Sequence, residues 1–276
     1  MTGRPHPCLA RFRAIAVQVS IVRDRRFRKL TIVNRIRPCL LLIPGMLNTQ
    51  NIWGEVVERL EDHVDVCFAR VDSQDSIEQM ANDAWRELDD VPMHVPVFVG
   101  GFSMGGYVAL AMLARLRRPI SGVALVSTSA RSISPATQAS RAKATTLIQH
   151  DYAGFVDGVV RTGTHSDYRA NPDHVASLRT MMLRMGPRTA VRQNRAIAQR
   201  SERLALLASI DIPVSVVCGK EDRVVSPMLS EELVAGVSRG TFTPVEGAGH
   251  FVLVERPQAV AEALQRLLGA TGTVGK

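Results

Sequence analysis

The sequence contains little cysteine and no long apolar run. Its four cysteines (Cys8, Cys39, Cys67 and Cys218) are isolated, without Cys-x-x-Cys pairs or His-Cys clusters. This argues against a zinc module and a disulfide scaffold, and it predicts a reducing, cytoplasmic compartment. Since no apolar run approaches the roughly 18–20 residues of a membrane helix, stable membrane insertion is not expected. The balance of 46% hydrophobic and 22% charged residues excludes collagen-like and disordered chains.

The positive charge is concentrated at the N-terminus. The chain has a formal net charge of +8, but residues 1–38 alone carry ten basic residues and one acidic residue. The other 238 residues carry 24 basic and 25 acidic groups, so the charge does not indicate a nucleic-acid partner for the body. We interpret residues 1–37 as a basic N-terminal arm, either a solvated extension or a first hairpin around Leu30–Val33. A targeting role, an anionic-surface role and a misassigned start are the alternatives.

From residue 38 onward, apolar segments alternate with helical patterns. Pro257 and Gly269 delimit a last helix, and an earlier helix is predicted over Met104–Arg117, before Pro119. Such alternation predicts a doubly wound, mostly parallel α/β sheet, with a core formed by residues 38–130 and 211–276. The predicted strands are Cys39–Ile43, Val64–Val71, Val95–Val99, Gly122–Ser127, Val214–Cys218 and Thr241–Val245.

The alternation stops between residues 131 and 210. This segment is rich in Ala, Arg and Met at helical spacing, and it has no convincing strand pattern. We interpret it as a helical cap inserted in the core.

The strongest chemical signal is Gly101-Phe102-Ser103-Met104-Gly105. It follows an apolar strand directly and opens a helix, which is the context of a nucleophile elbow. A sharp turn of this kind lifts the Ser103 hydroxyl above the sheet, and the flanking glycines leave room for it. Ser103 is therefore the candidate nucleophile, although a glycine-rich turn with an incidental serine has the same pattern.

A serine hydroxyl needs a base, and the base needs an orienting carboxylate. Among seven histidines, His250 alone follows glycines in a loop after the last predicted strand. Asp222 follows the fifth strand and is preferred to its neighbour Glu221. The chain order Ser103, Asp222, His250 is that of an α/β-hydrolase.

An oxyanion hole requires two backbone donors. One is expected from Met104, which follows the nucleophile. The other is assigned to Met46, in the loop Pro44-Gly45-Met46-Leu47 after the first buried strand; a simple Pro-Gly turn is the alternative.

Together, four motifs resemble the α/β-hydrolase superfamily, in particular small bacterial carboxylesterases and enol-lactone hydrolases with helical caps. The resemblance covers about Pro38 to Leu268, through Leu42–Met46, Gly101–Gly106, Gly219–Asp222 and Gly249-His250. It implies ester hydrolysis without a metal or organic cofactor, in a monomer or homodimer. One departure is Pro44, because the family usually has histidine before this glycine.

Four residues are candidates for binding the substrate. Trp53 and Phe102 lie near the oxyanion positions in sequence, and core packing explains them equally well. Met181 and Met185 form an adaptable apolar patch in the cap, or ordinary helix core. An arginine run from Arg184 to Arg203 either attracts an acidic substrate or an acyl-carrier protein, or forms a solvated face.

We therefore predict a serine hydrolase that acts on small carboxylic esters. The first alternative is a selective hydrolase for enol-lactones or for thio- or methyl esters on a carrier protein. The others are a ligand receptor on the same fold and a protein that binds anionic polymers through the basic arm.

Overall fold

The structure, a computed structural model, describes residues 19–22, 31–34, 36–60 and 64–270. Two short strands, β1 (Val19–Val22) and β2 (Thr31–Asn34), pair antiparallel. The strands that follow are β3 (Cys39–Ile43), β4 (Asp65–Phe68), β5 (Val97–Phe102), β6 (Gly122–Val126), β7 (Val214–Gly219) and β8 (Gly240–Val245). These six form a parallel sheet in the order β4-β3-β5-β6-β7-β8, which confirms the predicted fold class.

Eleven helices occupy the described part of the chain, together with a 3₁₀ turn at Gln50–Trp53. They are α1 (Gly54–Glu58), α2 (Ile77–Arg86), α3 (Met104–Leu113), α4 (Pro135–His150), α5 (Tyr152–Gly163), α6 (Ser166–Arg169), α7 (Pro172–Ala198), α8 (Leu204–Leu207), α9 (Pro227–Ala235), α10 (Val252–Glu255) and α11 (Pro257–Gly269).

Each strand of the sheet contributes side chains to two separate cores. In β3, Leu41 and Ile43 join the core formed with α2, α3 and α9, whereas Leu40 and Leu42 join the core formed with α1, α10 and α11. All five residues of β3 are fully buried. Burial on both faces is the reason that this strand is a continuous apolar run in the sequence.

The hairpin interpretation of the arm concerns β1 and β2. Their register pairs Val19 with Asn34 and Val22 with Thr31, as in the two strands of a hairpin. Arg37, at the end of the arm, lies 3.7 Å from Asp65, and the rest of the arm apart from residue 36 lies outside the described residues.

Three predicted elements differ from the structure by more than one residue at an end. The second core strand is limited to Asp65–Phe68, and the third extends to Phe102, next to Ser103. Helix α3 ends at Leu113 rather than at Arg117. After α3, the buried Arg118 donates to the carbonyl oxygens of Val91 (2.7 Å) and Pro92 (2.9 Å). Arg118 also precedes Pro119, and the residue before a proline disfavours helical backbone, so the helix ends before this position.

The segment of residues 131–210, called the insertion below, contains helices α4 to α8 and no strand. Helix α7 is broken at Gly186, whose φ of +77° only glycine adopts readily, and Pro187 follows. The insertion packs against the core that contains Leu40 and Leu42. Val156, Leu178 and Met182 are buried there in the same cluster as Phe102.

The direction in which successive strands are added to the parallel sheet reverses at β3. The chain passes from β3 to β4 on one side and then returns to form β5 on the other side. Ligands of open α/β sheets bind beyond the carboxyl ends of the strands at such a switch point. The loop at Met46 and the turn at Ser103 follow β3 and β5, so they meet at this position.

Candidate active site

The backbone at Ser103 is strained. Its φ of +52° and ψ of −113° lie in a region that residues with a side chain rarely adopt. The surrounding backbone holds it in place: Ser103 N donates to Val126 O (2.8 Å), and Ser103 O accepts from Gly106 N (2.9 Å) and from Thr128 Oγ1 (2.8 Å). The strain places the hydroxyl at the start of α3.

Glycines are required around this turn because other backbone approaches closely. A Cβ at Gly101 would collide with the carbonyl group of Gly105, and a Cβ at Gly105 would collide with the carbonyl oxygen of Ile43. The space left by the missing side chains of Gly101 and Gly105 is therefore filled by neighbouring backbone, and no side chain fits there.

Ser103, His250 and Asp222 form a continuous hydrogen-bonded chain. His250 Nε2 lies 2.9 Å from Ser103 Oγ, and His250 Nδ1 lies 2.8 Å from Asp222 Oδ2. The Asp222 side chain is completely buried and that of His250 is 5% exposed. Asp222 Oδ1 also accepts from the N–H groups of Val224 (2.8 Å) and Val225 (2.9 Å), which fix the carboxylate.

Glu221, the neighbouring carboxylate, has a different partner. Its Oε2 accepts from Ala248 N (3.0 Å), and its own N–H donates to Ala248 O (3.1 Å). Glu221 is exposed and holds the loop before His250, whereas the imidazole faces Asp222.

Two backbone donors are available near the serine. Within the described residues, no acceptor is paired with the N–H of Met46 or of Met104. The neighbouring amides are used: Leu47 N donates to Gln193 Oε1 (2.9 Å), and Asn48 N donates to Gly45 O (3.2 Å). The N-terminus of α3 adds partial positive charge at the same point. These two N–H groups suit an oxygen that gains negative charge.

Gln193 supports the loop that carries Met46. It is completely buried in α7, and its Nε2 donates to Val71 O (2.8 Å) while its Oε1 accepts from Leu47. Leu47 has a φ of +63°, a conformation that needs such support. The sequence motif does not identify Gln193, because 146 residues separate it from Leu47.

Trp53 and Phe102 are both fully buried. The Trp53 indole N–H donates to Ile43 O (3.4 Å), and its ring lies next to Gly100. The Phe102 ring packs against the His250 ring, with centroids 5.3 Å apart, and it contacts the backbone at Gly45. In this structure, both side chains belong to the buried core that also contains Leu40 and Leu42.

Met181 and Met185 are both partly exposed on α7. A cavity of about 670 Å³ lies between α1 and α7, and Met181 is among its lining residues. The cavity also borders Thr49, which follows the Met46 loop, and Val254, which follows His250. Neither Ser103 nor His250 is among its lining residues, and Met185 also lies outside its lining.

Glu255 holds the His250 loop by hydrogen bonds to its backbone. It is 6% exposed, and its Oε2 accepts from Gly249 N (3.0 Å) and from His165 N (2.7 Å), which joins the loop to the insertion. His250 N also donates to Gly163 O in α5 (2.6 Å). Burial raises the pKa of Glu255, while hydrogen bonds from the backbone N–H groups of Gly249, His165 and Phe251 act in the opposite direction.

The raised pKa of Glu255 gives a prediction for stability. The folded protein holds this proton more tightly than the unfolded chain, so the contribution of Glu255 to the free energy of unfolding is complete below the ordinary carboxyl pKa. It is lost as the pH rises through the raised pKa. We expect Glu255→Gln, relative to wild type, to become more stable over this interval, measured by urea unfolding at a series of pH values.

Glu255→Ala provides the control. Alanine leaves the two N–H groups without an acceptor, so we expect a loss of about 2–4 kcal/mol that persists at high pH. Equal free energies of unfolding for wild type and Glu255→Gln at every pH would contradict the prediction.

The described residues contain no group of three or more His, Cys, Asp or Glu side chains that could hold a metal ion. Among the same residues, no helix is long and apolar enough to cross a membrane.

Solved structures with the same fold include a thermophilic esterase from Thermogutta terrifontis with malate bound (TM-score 0.78, 24% identity) and the enol-lactonase from Burkholderia xenovorans LB400 (TM-score 0.75, 22% identity). The first match covers 85% of this chain and 90% of the esterase, and the second covers 90% and 95%.

Similar sequences include the pimeloyl-[acyl-carrier protein] methyl ester esterase of Xanthomonas campestris pv. campestris. It is 21% identical over 252 residues, which cover 84% of this chain and 96% of that protein. The model of the alpha/beta hydrolase family matches residues 40–263, from β3 into α11. Because this match spans most of the chain, the protein belongs to the alpha/beta hydrolase family.

Proposed function

We propose that the protein hydrolyses carboxylic esters through an acyl-enzyme formed on Ser103. The observation that carries the proposal is the chain of hydrogen bonds from Ser103 Oγ through His250 to Asp222 (2.9 and 2.8 Å). A serine hydroxyl is a weak nucleophile alone, and this arrangement supplies its base and the group that orients the base.

In the first half-reaction, Ser103 Oγ attacks the carbonyl carbon of the ester and His250 Nε2 takes the hydroxyl proton. Asp222 stabilises the imidazolium. The N–H groups of Met46 and Met104 donate to the oxyanion of the tetrahedral intermediate. The intermediate collapses when His250 protonates the leaving alcohol, which leaves the acyl group on Ser103.

In the second half-reaction, His250 removes a proton from water, and the resulting hydroxide attacks the acyl-enzyme. A second tetrahedral intermediate uses the same two N–H donors. Its collapse returns the proton to Ser103 Oγ and releases the carboxylic acid. Apart from the ester and the water molecule, each step uses groups of this chain.

The insertion of residues 131–210 is proposed to act as a cap over the site. Its contacts with both site loops support this role: Gln193 accepts from Leu47, and Gly163 accepts from His250. A change in the position of the insertion would therefore change the geometry of the oxyanion donors and of the base.

Hydrolysis of 4-nitrophenyl esters from acetate to laurate tests the proposal. We expect multiple turnovers on part of this series, and the chain-length optimum would measure the acyl pocket. Absence of turnover on every ester, together with failure of a fluorophosphonate to label Ser103 in the folded protein, would refute it. Labelling of Ser103 without turnover of simple esters would favour the selective lactone or carrier-protein ester hydrolase.

A further inference from the structure

Arg141 lies beside the loop that carries Met46. It belongs to α4 in the insertion, and its Nη1 is 3.8 Å from Met46 Sδ and 3.1 Å from Asn194 Oδ1. Asn194 is 1% exposed, and its Nδ2 donates to Arg141 O (2.8 Å) and to Thr145 Oγ1 (2.8 Å). The amide of Asn194 thus holds both the guanidinium and the backbone carbonyl group of Arg141. Only the side chain of Met46 lies between this guanidinium and the Met46 N–H, a proposed oxyanion donor.

The charge of Arg141 has no compensating carboxylate. Three other arginines of the insertion do pair with acidic residues: Arg131 lies 2.5 Å from Glu232, Arg179 lies 2.5 Å from Asp157, and Arg203 lies 3.0 Å from Glu78. For Arg141, no carboxylate of the described residues is within ion-pair distance.

Its surroundings also disfavour the charge. Burial lowers the pKa of Arg141, and Arg200 adds a second positive charge, while Tyr107 acts in the opposite direction. Arg200 itself lies over the Tyr107 ring, with its guanidinium carbon 4.3 Å from the ring centroid. Arg141 stays partly exposed, and an arriving anion would offset the cost of removing the rest of the guanidinium from water.

The unused N–H donors of Arg141 indicate the kind of group that it would bind. Nη1 contacts Asn194 and Met46, whereas Nε and Nη2 donate to no group among the residues that the structure describes. A guanidinium presents such donors in a planar fork that matches the two oxygens of a carboxylate.

We propose that Arg141 binds a carboxylate of the ester substrate, so that the preferred substrates are esters or lactones that carry a free carboxylate. The inference rests on the ester hydrolysis proposed above and adds its substrate class. The carboxylate belongs either to the acyl part, as in a half-ester of a dicarboxylic acid, or to the alcohol part.

Two matched pairs of esters distinguish these sources. For the acyl part, mono-4-nitrophenyl adipate is compared with 4-nitrophenyl hexanoate, since they differ in a terminal carboxylate against a terminal methyl group. For the alcohol part, 4-carboxyphenyl hexanoate is compared with 4-carbamoylphenyl hexanoate. In each pair, the ratio of kcat/KM for the acidic ester to kcat/KM for the neutral ester is measured.

We expect Arg141→Gln to lower this ratio by about 10- to 100-fold in one of the pairs, the amount that a charge-assisted hydrogen bond provides. Arg195→Gln is the matched control, because Arg195 is an exposed arginine on α7 and its loss removes the same charge from the insertion. We expect this control to leave both ratios within about twofold of wild type. Ratios that Arg141→Gln leaves unchanged in both pairs would overturn the inference.

Loss of the contact with Asn194 could unfold Arg141→Gln, so Arg141→Lys is measured in parallel. Lysine keeps the charge but not the planar fork, and we expect a smaller decrease of the same ratio. An unchanged ratio in this variant, with Arg141→Gln unfolded, would also overturn the inference.

A binding measurement separates this inference from the proposed function. Adipate should raise the Tm of the wild type more than hexanoate does, and Arg141→Gln or Arg141→Lys should reduce the difference. If no ester is hydrolysed and a fluorophosphonate does not label Ser103, the proposed function fails, and the Tm difference alone decides whether Arg141 binds a carboxylate. If esters are hydrolysed but adipate and hexanoate act alike and the ratios do not change, only the inference fails.

Discussion

Replacement of Ser103 by alanine should lower kcat for a 4-nitrophenyl ester by about 10⁴- to 10⁶-fold, the loss that removal of a triad nucleophile causes. The physical reason is that no other hydroxyl of the described chain is hydrogen-bonded to His250 Nε2. The Ser103 side chain makes no other hydrogen bond within the described residues, so the variant should keep its fold and its Tm. Steady-state hydrolysis and thermal unfolding of the same samples check both parts.

Ser209→Ala is a suitable control for this experiment. Ser209 is exposed after α8, and its Oγ donates to Leu206 O (2.7 Å), far in sequence from the site. The control should retain wild-type kcat. A folded Ser103→Ala protein that keeps more than about a tenth of the wild-type rate would contradict the proposed nucleophile.

Asp222→Asn should lower kcat by about 10⁴-fold, because it reverses the tautomer of His250. The asparagine oxygen would still accept from Val224 and Val225 in place of Oδ1. Its amide would then face His250 Nδ1 as a donor, and the ring proton would move to Nε2. A protonated Nε2 cannot accept the proton of Ser103.

Glu221→Gln is the matched control for Asp222→Asn, since it makes the same chemical change in the adjacent residue. The oxygen of the new glutamine amide is expected to accept from Ala248 N as the Glu221 carboxylate does, so kcat should stay within about threefold of wild type. The assignment of the orienting carboxylate would be wrong if Glu221→Gln lost the rate and Asp222→Asn kept it. The pH profile of kcat/KM for Asp222→Asn provides a second readout, because rate loss from a reversed tautomer should diminish as hydroxide replaces His250 as the base.

The sequence by itself determined the sheet and the position of its turns. Strands such as β3 and β6 are buried on both faces, so each appears as a continuous apolar run that needs no knowledge of its neighbours. The turn at Ser103 is equally local: steric contact with nearby backbone restricts Gly101 and Gly105 to glycine. Parallel strands then bring the residues after β3, β5 and β7 to one edge of the sheet, together with the loop after β8 that carries His250.

Only the tertiary structure decided which distant side chains support that site. Gln193 reaches Leu47, Glu255 reaches His165, and Arg141 reaches Met46 across separations of 146, 90 and 95 residues. None of these pairs follows from periodicity, because each depends on how the insertion packs on the sheet. Trp53 and Phe102 illustrate the same limit: their apolar side chains suit a pocket or a core, and packing alone placed both in a buried core. The local sequence therefore specifies the proposed reacting groups, whereas the packing of the insertion specifies the distant side chains that support them.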